Sequence, residues 1–384
     1  MINSELLQKV EAHFKERFSG KPMHIFAPGR INLIGEHTDY NDGFVFPAAI
    51  DKGIIAALAK SSSETCTVFA VDANNSLSFS LDKVAPIENG TWRNYVLGVV
   101  SEIQKKGIQL TPFNIAFAGD IPSGSGMSSS AALENSIVFG LNELFKLGLS
   151  KKEMIYISQM AEHNFVGVKC GIMDQYASMF GQVNSAILLD CRSLDSKTFQ
   201  LDFNDYELML INTNVKHSLS DSAYNDRRKV CEKVSKLLDV KALRDVNEQD
   251  LKLIKNQISL ESYQKALYVV QENARVIEAS KAIVINDMQS FGDLMYASHK
   301  GLSEQYKVSC DELDFLVDAT KDNANILGAR MMGGGFGGCT INLIKKTETE
   351  SFKKYITKFY LQKFKKNCSI YTAHLSDGTQ LIEN

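Results

Sequence analysis

Three short segments of this 384-residue chain gather the side chains best able to do chemistry. The first reads Gly124-Ser125-Gly126-Met127-Ser128-Ser129-Ser130-Ala131-Ala132 and lies between a strand-like and a helical stretch. A helix start leaves positively polarised N–H groups unpaired, and small residues let backbone approach an anion such as phosphate. The serine hydroxyls add donors, and one could ligate Mg²⁺; a plain serine cap beside a glycine turn is the alternative. The second segment, Met331 to Cys339, satisfies GxGxxG at Gly333, Gly335 and Gly338. A dinucleotide fingerprint would open a helix there, whereas Cys339–Ile344 alternates like a strand. Its glycines either admit a ligand to the backbone or pack the loop tightly between layers. The third segment, Ala27 to Tyr40, crowds Arg30, Glu36, His37, Thr38 and Asp39 between Pro28-Gly29 and Gly43. Convergent donors and acceptors suit a polyhydroxylated ligand, and a salt-bridged surface loop is the competing reading. Two more carboxylates, Glu162 and Asp174, sit beside Met160, Phe165, Ile172 and Met173, a placement that can mark a metal ligand or a base.

The elements that must position these groups are read from periodicity. Strands are expected at His24–Ala27, Asp42–Ala59 and Asn114–Ala118, the last leading into the serine segment. Apolar residues from Ala131 to Phe145 recur at helical spacing, and two shorter helices are expected at Met154–Phe165 and Met173–Phe180. Strands Ala186–Leu189 and Glu207–Ile211 follow. The second half is more helical, with stripes over Ala223–Leu238, Leu260–Ile285 and Asp311–Ala319. It ends with a strand (Cys339–Ile344), a helix (Glu348–Phe364) and a last strand (Ser369–His374). Both halves are mixed α/β, divided near residue 200 in the polar stretch Ser193–Tyr206, giving domains 1–200 and 201–384.

Composition removes other classes. Lys+Arg total 42 against Asp+Glu 45, a net charge of -3, without the basic excess of a nucleic-acid binder. Seven scattered cysteines contain no CxxC pair, and the seven histidines no HExxH. The first 18 residues have the spacing of an amphipathic surface helix rather than a signal peptide. The longest apolar run, Ile54–Ala59, is far short of a membrane span. These features describe a cytoplasmic protein with no membrane or nucleic-acid partner.

Taken together the segments resemble the GHMP small-molecule kinases, and among them the galactokinase family. The family motif GRxNLIGEHTDYNDGFV is present from Gly29 to Val45. PxGxGLSSSA appears as Pro122–Ala131 with Met127 for Leu, and MTGGGFGG as Met331–Gly338 with Met332 for Thr. AEHxFxGxxCGIMDQ is present at Ala161–Gln175. The resemblance implies a two-domain fold, the first domain like a ribosomal-protein S5 domain and the second ferredoxin-like, with the site between them. It implies phosphorylation of the anomeric hydroxyl of galactose by ATP with Mg²⁺, in a monomer. Residues Gly124 to Ser130 would hold the nucleotide phosphates, with Ser130 (or Ser129) and Glu162 as Mg²⁺ ligands. Glu36, His37, Thr38, Asp39, Gly171 and Tyr224 would bind the sugar. Asp174 would act as base, or orient the hydroxyl, with Arg30 as its cationic neighbour, and Trp92 would lie near the adenine. Met127 and Met332 should alter packing rather than chemistry. Kinases of N-acetylgalactosamine or another sugar, and a non-catalytic sugar- and ATP-binding regulator, are the rival readings; retention of Ser130-Ala131 and Asp174 speaks against the regulator.

Overall fold

The computed structural model describes residues 2–215 and 220–383, without the side chains of 220–223. Its largest sheet has the order β13-β1-β3-β6-β4-β5, formed by β1 (Met23–Asn32), β3 (Pro47–Lys60), β4 (Cys66–Ala70), β5 (Asn75–Phe79), β6 (Phe113–Gly119) and β13 (Gln380–Leu381). The β4–β6 pair is parallel and the others antiparallel. Along β3, Ile54, Ala56 and Leu58 face one apolar cluster, while Ile55, Ala57 and Ala59 face another. Both faces are therefore covered, so the strand reads as a continuous apolar run. On one face lies α1 (Ser4–Arg17), buried through Val10 and Phe14. On the other lie α2 (Trp92–Lys105), α3 (Ser129–Phe145), α4 (Lys151–Ala161) and α5 (Met173–Phe180).

A second sheet, β10-β11-β9-β12, uses β9 (Tyr206–Asn212), β10 (Ile326–Met331), β11 (Cys339–Lys345) and β12 (Ser369–Thr372). Around the second half of the chain lie α6 (Ser220–Leu237), α7 (Glu248–Ile254), α8 (Leu260–Val284), α9 (Met288–Lys300), α10 (Asp311–Lys321) and α11 (Thr349–Phe364). A small third sheet joins β2 (Phe44–Val45), β7 (Ser185–Asp190) and β8 (Ser196–Gln200). One apolar cluster spans both halves, with Ile31, Leu33, Ile34 and Phe46 packed among Val276, Phe291 and Ile341. The chain also returns: Ser376 N–H donates to Ala49 O, and β13 pairs with β1.

Most expected elements are present within a residue or two, with two corrections. The strand expected over Asp42–Ala59 is interrupted, since Asp39–Asn41 forms a 3₁₀ turn and the strand resumes as β2 and then β3. Arg30, expected on a turn, lies in β1, which continues beyond Ala27 through a register shift at Pro28/Arg30. Strands β4, β5, β8, β10 and β13 and helices α2, α7 and α9 went unread in the sequence. No helix among the described residues is long and apolar enough to cross a membrane.

The turn after β1 is held from α8. Fully buried Glu272 accepts from Gly35 N–H (3.0 Å) and Ser298 Oγ (2.6 Å) through Oε1, and from Arg275 Nε (2.6 Å) through Oε2. Removing one partner of a buried ion pair strands the other charge. Glu272→Ala should therefore destabilise the protein by about 3–5 kcal/mol, read as a lower urea midpoint.

Candidate active site

The serine segment forms a tight loop before α3. Its backbone is left-handed at Gly124, Gly126 and Ser128 (φ +71°, +73° and +59°). Such alternation turns successive N–H groups into one concavity that attracts anions. Ser128 occupies the N-cap position of α3 but makes no capping bond; its hydroxyl instead donates to Asp174 Oδ2. The plain serine cap is thus excluded, and the first-turn N–H groups lack a side-chain acceptor at that position. Ser125 Oγ is buried with no hydrogen-bond partner among the described residues, an orphan that a bound oxyanion would satisfy.

Asp174 sits in the first turn of α5, where a carboxylate is favoured by the helix dipole. Arg30, reaching across from β1, grips both of its oxygens, Nε to Oδ1 and Nη2 to Oδ2 at 2.8 Å each, and donates through Nη1 to Gly126 O. Arg30 is only 4% exposed. Burial works against its charge, but Asp174, Glu36 and Asp39 outweigh it and raise its pKa. Three donors thus occupy Asp174, two on Oδ2 and one on Oδ1. A carboxylate offers about four acceptor positions, so Oδ1 retains one.

Glu36, 2% exposed, accepts from Gly333 N–H (2.8 Å) and pairs with fully buried Arg330 (3.0 Å), both through Oε1. Arg330 donates in turn to Asn32 O (2.7 Å). The second and third segments are bound together this way. Met127 and Met332 are both buried beneath the loops, and Met127 O accepts from Arg30 N–H.

Arg30, Glu36, His37, Asp39, Ser130, Glu162, Gly171, Asp174 and Tyr224 line one cavity of about 190 Å³, with Gly333 and Gly334. A neighbouring cavity of about 350 Å³ is lined by the loop from Gly124 to Ser130. Arg30, Ser130, Asp174 and Tyr224 belong to both walls. Thr38 lies outside the first: its hydroxyl contacts Gly35 O and Phe44 O, which shapes the turn. Trp92 is also elsewhere, packed edge-on against Phe117, whereas Tyr95, one turn along α2, lines both cavities. Trp92 therefore lines neither of these two cavities.

Asp39 and Gly171 are mutually fitted. A Cβ at Gly171 would lie 2.0 Å from Asp39 Oδ2, so only glycine leaves room for the carboxyl. Burial, then the nearby charge of Asp174, pushes Asp39 up to about 7, against hydrogen bonds from the Tyr40 and Met173 backbone. Tyr224 is brought to the wall by α6, whose Asn225 accepts from Lys169 N–H (3.1 Å) and donates to Gly167 O (3.2 Å).

Sequence reading missed several supports. Arg330 and Glu272 lay in segments with no recognised motif. Glu134 is buried one turn into α3, where burial and Glu162 push its carboxyl well up, and Gln175 Nε2 donates to it (3.4 Å). A lone Glu inside Ala131-Ala132-Leu133-Glu134-Asn135 was the available signal. No cluster of three or more His, Cys, Asp or Glu that could hold a metal occurs among the described residues. Ser130 and Glu162, both on the cavity wall, offer two oxygen ligands, which suits Mg²⁺ that keeps waters and phosphate oxygens.

Comparison with known proteins shows the family. The GHMP kinases N-terminal domain matches residues 94–182 and the GHMP kinases C-terminal domain residues 276–361, defining a GHMP kinase. A galactokinase galactose-binding signature matches residues 12–60. A galactokinase of Thermosipho africanus is 42% identical over 94% of this chain and 100% of its own length. One of Glaesserella parasuis is 40% identical over 97% and 98%. The crystal structure of Lactococcus lactis galactokinase complexed with galactose superimposes with TM-score 0.93, at 33% identity over 98% of this chain and 100% of that one. Methanococcus jannaschii mevalonate kinase shares the fold, with TM-score 0.66 at 19% identity over 93% and 99%. The chain belongs to the galactokinase family.

The raised Asp39 has a consequence for stability. Its folded pKa of about 7 exceeds the unfolded value of 3.8, so the folded state holds its proton more tightly. The resulting stability is complete below about pH 4 and is lost as pH rises through 7, at no more than about 1.4 kcal/mol per unit. Asp39→Asn should raise the urea midpoint relative to the parent at pH 8, and this advantage should vanish at pH 4.

Proposed function

We propose that the chain transfers the γ-phosphoryl group of ATP to the anomeric hydroxyl of D-galactose, giving α-D-galactose 1-phosphate and ADP. The observation that carries this reading is the shared wall: Arg30, Asp174 and Ser130 line both the cavity of the sugar motif and the cavity of the anion-binding loop. A sugar and a triphosphate held in the two would meet at Asp174. Phosphoryl transfer needs positioning and charge neutralisation above all.

In this reading the loop N–H groups and the start of α3 hold phosphate oxygens. His37, Asp39, Gly171 and Tyr224 orient the sugar, and Glu36 acts mainly by fixing the turn to Gly333 and Arg330. The remaining acceptor position on Asp174 Oδ1 takes the hydrogen bond of the anomeric hydroxyl. The anomeric oxygen bonds to the γ-phosphorus, the bond from phosphorus to the β,γ-bridging oxygen breaks, and the proton passes to Asp174. Arg30 keeps Asp174 aligned and adds positive charge beside the phosphoryl group. Mg²⁺, held by Ser130 and Glu162, would neutralise the charge on the phosphates. We keep the monomer as the proposed assembly state. Seven free cysteines and the use of ATP fit the cytoplasm, and we keep a division of the chain near residue 200, between β8 and β9.

An assay coupled to ADP release, run with galactose, N-acetylgalactosamine and glucose, tests the reading; ATP binding without turnover of any sugar would overturn it. Asp174→Ala should lower kcat by about 10³-fold with ATP affinity within twofold of the parent. Glu162→Gln should raise the Mg²⁺ concentration for half-maximal rate about tenfold.

A further inference from the structure

Residues 167–171 form part of the sugar-cavity wall through Val168, Cys170 and Gly171, yet they belong to no helix or strand. Their backbone groups must find partners elsewhere. Gly167, at φ +88°, donates its N–H to Glu162 O (2.8 Å). Helix α6 supplies three further bonds. Asn225 Nδ2 donates to Gly167 O (3.2 Å), Asn225 Oδ1 accepts from Lys169 N–H (3.1 Å), and Arg228 Nη1 donates to Lys169 O (2.9 Å). Both partners of Asn225 are backbone groups of fixed polarity, so its amide has one orientation. Arg228 is steered by Glu232, which accepts from its Nε (2.8 Å) one turn further along the helix. On the other flank Gln159 Nε2 donates to Cys170 O (3.3 Å), and Lys169 Nζ to His163 O (3.0 Å).

The loop therefore hangs between the two halves of the chain, and its placement matters most at Gly171. A Cβ there would meet Asp39 Oδ2, Cγ and Cβ at 2.0, 2.1 and 2.7 Å, so the backbone and the carboxyl group are in close fit. A small advance of the loop would push Asp39 aside, and a small retreat would leave it unsupported. Asp39 lines the same cavity. Tyr224, next to Asn225 in sequence, lines it too, so one turn of α6 presents a ring to the cavity and grips the loop. Gly167 and Lys169 are exposed, so water can take over bonds lost there at little cost to stability. Water cannot supply their directions, and misplacing a binding group by about 1 Å is costly to catalysis.

We propose that Asn225 and Arg228 are positioning residues that clasp the 167–171 loop to α6 and thereby hold Gly171 against Asp39, setting the affinity for the sugar from outside its cavity. The proposal rests on the reading of this cavity as the sugar site. Neither Asn225 nor Arg228 lines that cavity or the neighbouring one beside the serine loop. Their influence on the ligand runs through the loop they hold.

The test uses the full chain. Asn225→Ala costs α6 nothing in helix propensity. It should raise the galactose KM about tenfold, with ATP KM and kcat changed less than about threefold and the urea midpoint within experimental scatter. Arg228→Ala, which loses one bond to the loop, should raise the galactose KM about threefold. Asn225→Asp has nearly the parent's shape but sets a carboxylate against Gly167 O, and should be as impaired as Asn225→Ala. On an Asp39→Ala background, Asn225→Ala should lower kcat/KM for galactose by less than about twofold further. Hydrogen exchange at Lys169 N–H should be about tenfold faster in Asn225→Ala than in the parent. Equal losses for galactose and ATP, an undiminished loss on the Asp39→Ala background, or unchanged exchange at Lys169 would overturn the proposal. If Asn225→Ala does not fold, Arg228→Ala is carried through the same kinetic comparisons. Failure of the parent to phosphorylate galactose would sink the functional reading, whereas exchange at Lys169 judges the clasp independently.

Discussion

A single buried guanidinium carries much of the site. Arg30 donates to both oxygens of Asp174 and to the Gly126 carbonyl, and its own backbone N–H donates to Met127 O. One side chain therefore ties β1, the anion loop and the start of α5 to each other. Out of water, a guanidinium is tolerable only when its fork is filled by acceptors of the right geometry. That demand fixes the angle at which Asp174 faces the cavity and the depth at which the loop sits against the strand.

A second buried pair performs the same task across the two halves of the chain. Glu36 and Arg330 meet at the floor, with Gly333 N–H on the same carboxylate oxygen and Asn32 O on the guanidinium. Tyr268 adds its hydroxyl to Glu36 O (3.0 Å) from α8. The sugar-motif turn is consequently not a loop resting on the surface; it is clamped between helix α8 and the glycine run before β11. The glycines of that run answer the alternative left open by the sequence: Gly333 packs against Gly126, and Gly334 remains on the cavity wall.

Negative charge is concentrated around the cavity, where Glu36, Asp39, Glu162 and Asp174 share one wall and Glu134 lies just behind it. Two buried arginines offset part of it, and Asp39 and Glu134, raised first by burial and then by the neighbouring carboxylates, hold their protons more tightly. The geometry leaves an anion-attracting loop on one side of Asp174 and a carboxyl-rich, hydroxyl-matching pocket on the other. That asymmetry suits one cleft to a polyphosphate and a neutral polyol together.

Most residues of the candidate site were legible without coordinates. Arg30, Glu36 to Asp39, the serine loop and Asp174 stand out because motifs at catalytic surfaces combine glycine, charge and hydroxyls in ways that packing alone does not need. Helices with apolar stripes, such as α3 and α8, were legible as well. Strand β3 was only partly so, because a strand buried on both faces loses its alternation. Tertiary structure decided the rest. It turned Thr38 into the turn, placed Tyr95 rather than Trp92 at the cavity, freed Ser128 from capping to hold Asp174, and supplied Arg330 and Glu272 from positions hundreds of residues away. Local pattern records what a residue can donate or accept; which partner satisfies it depends on long-range burial, and burial is a property of the folded chain alone.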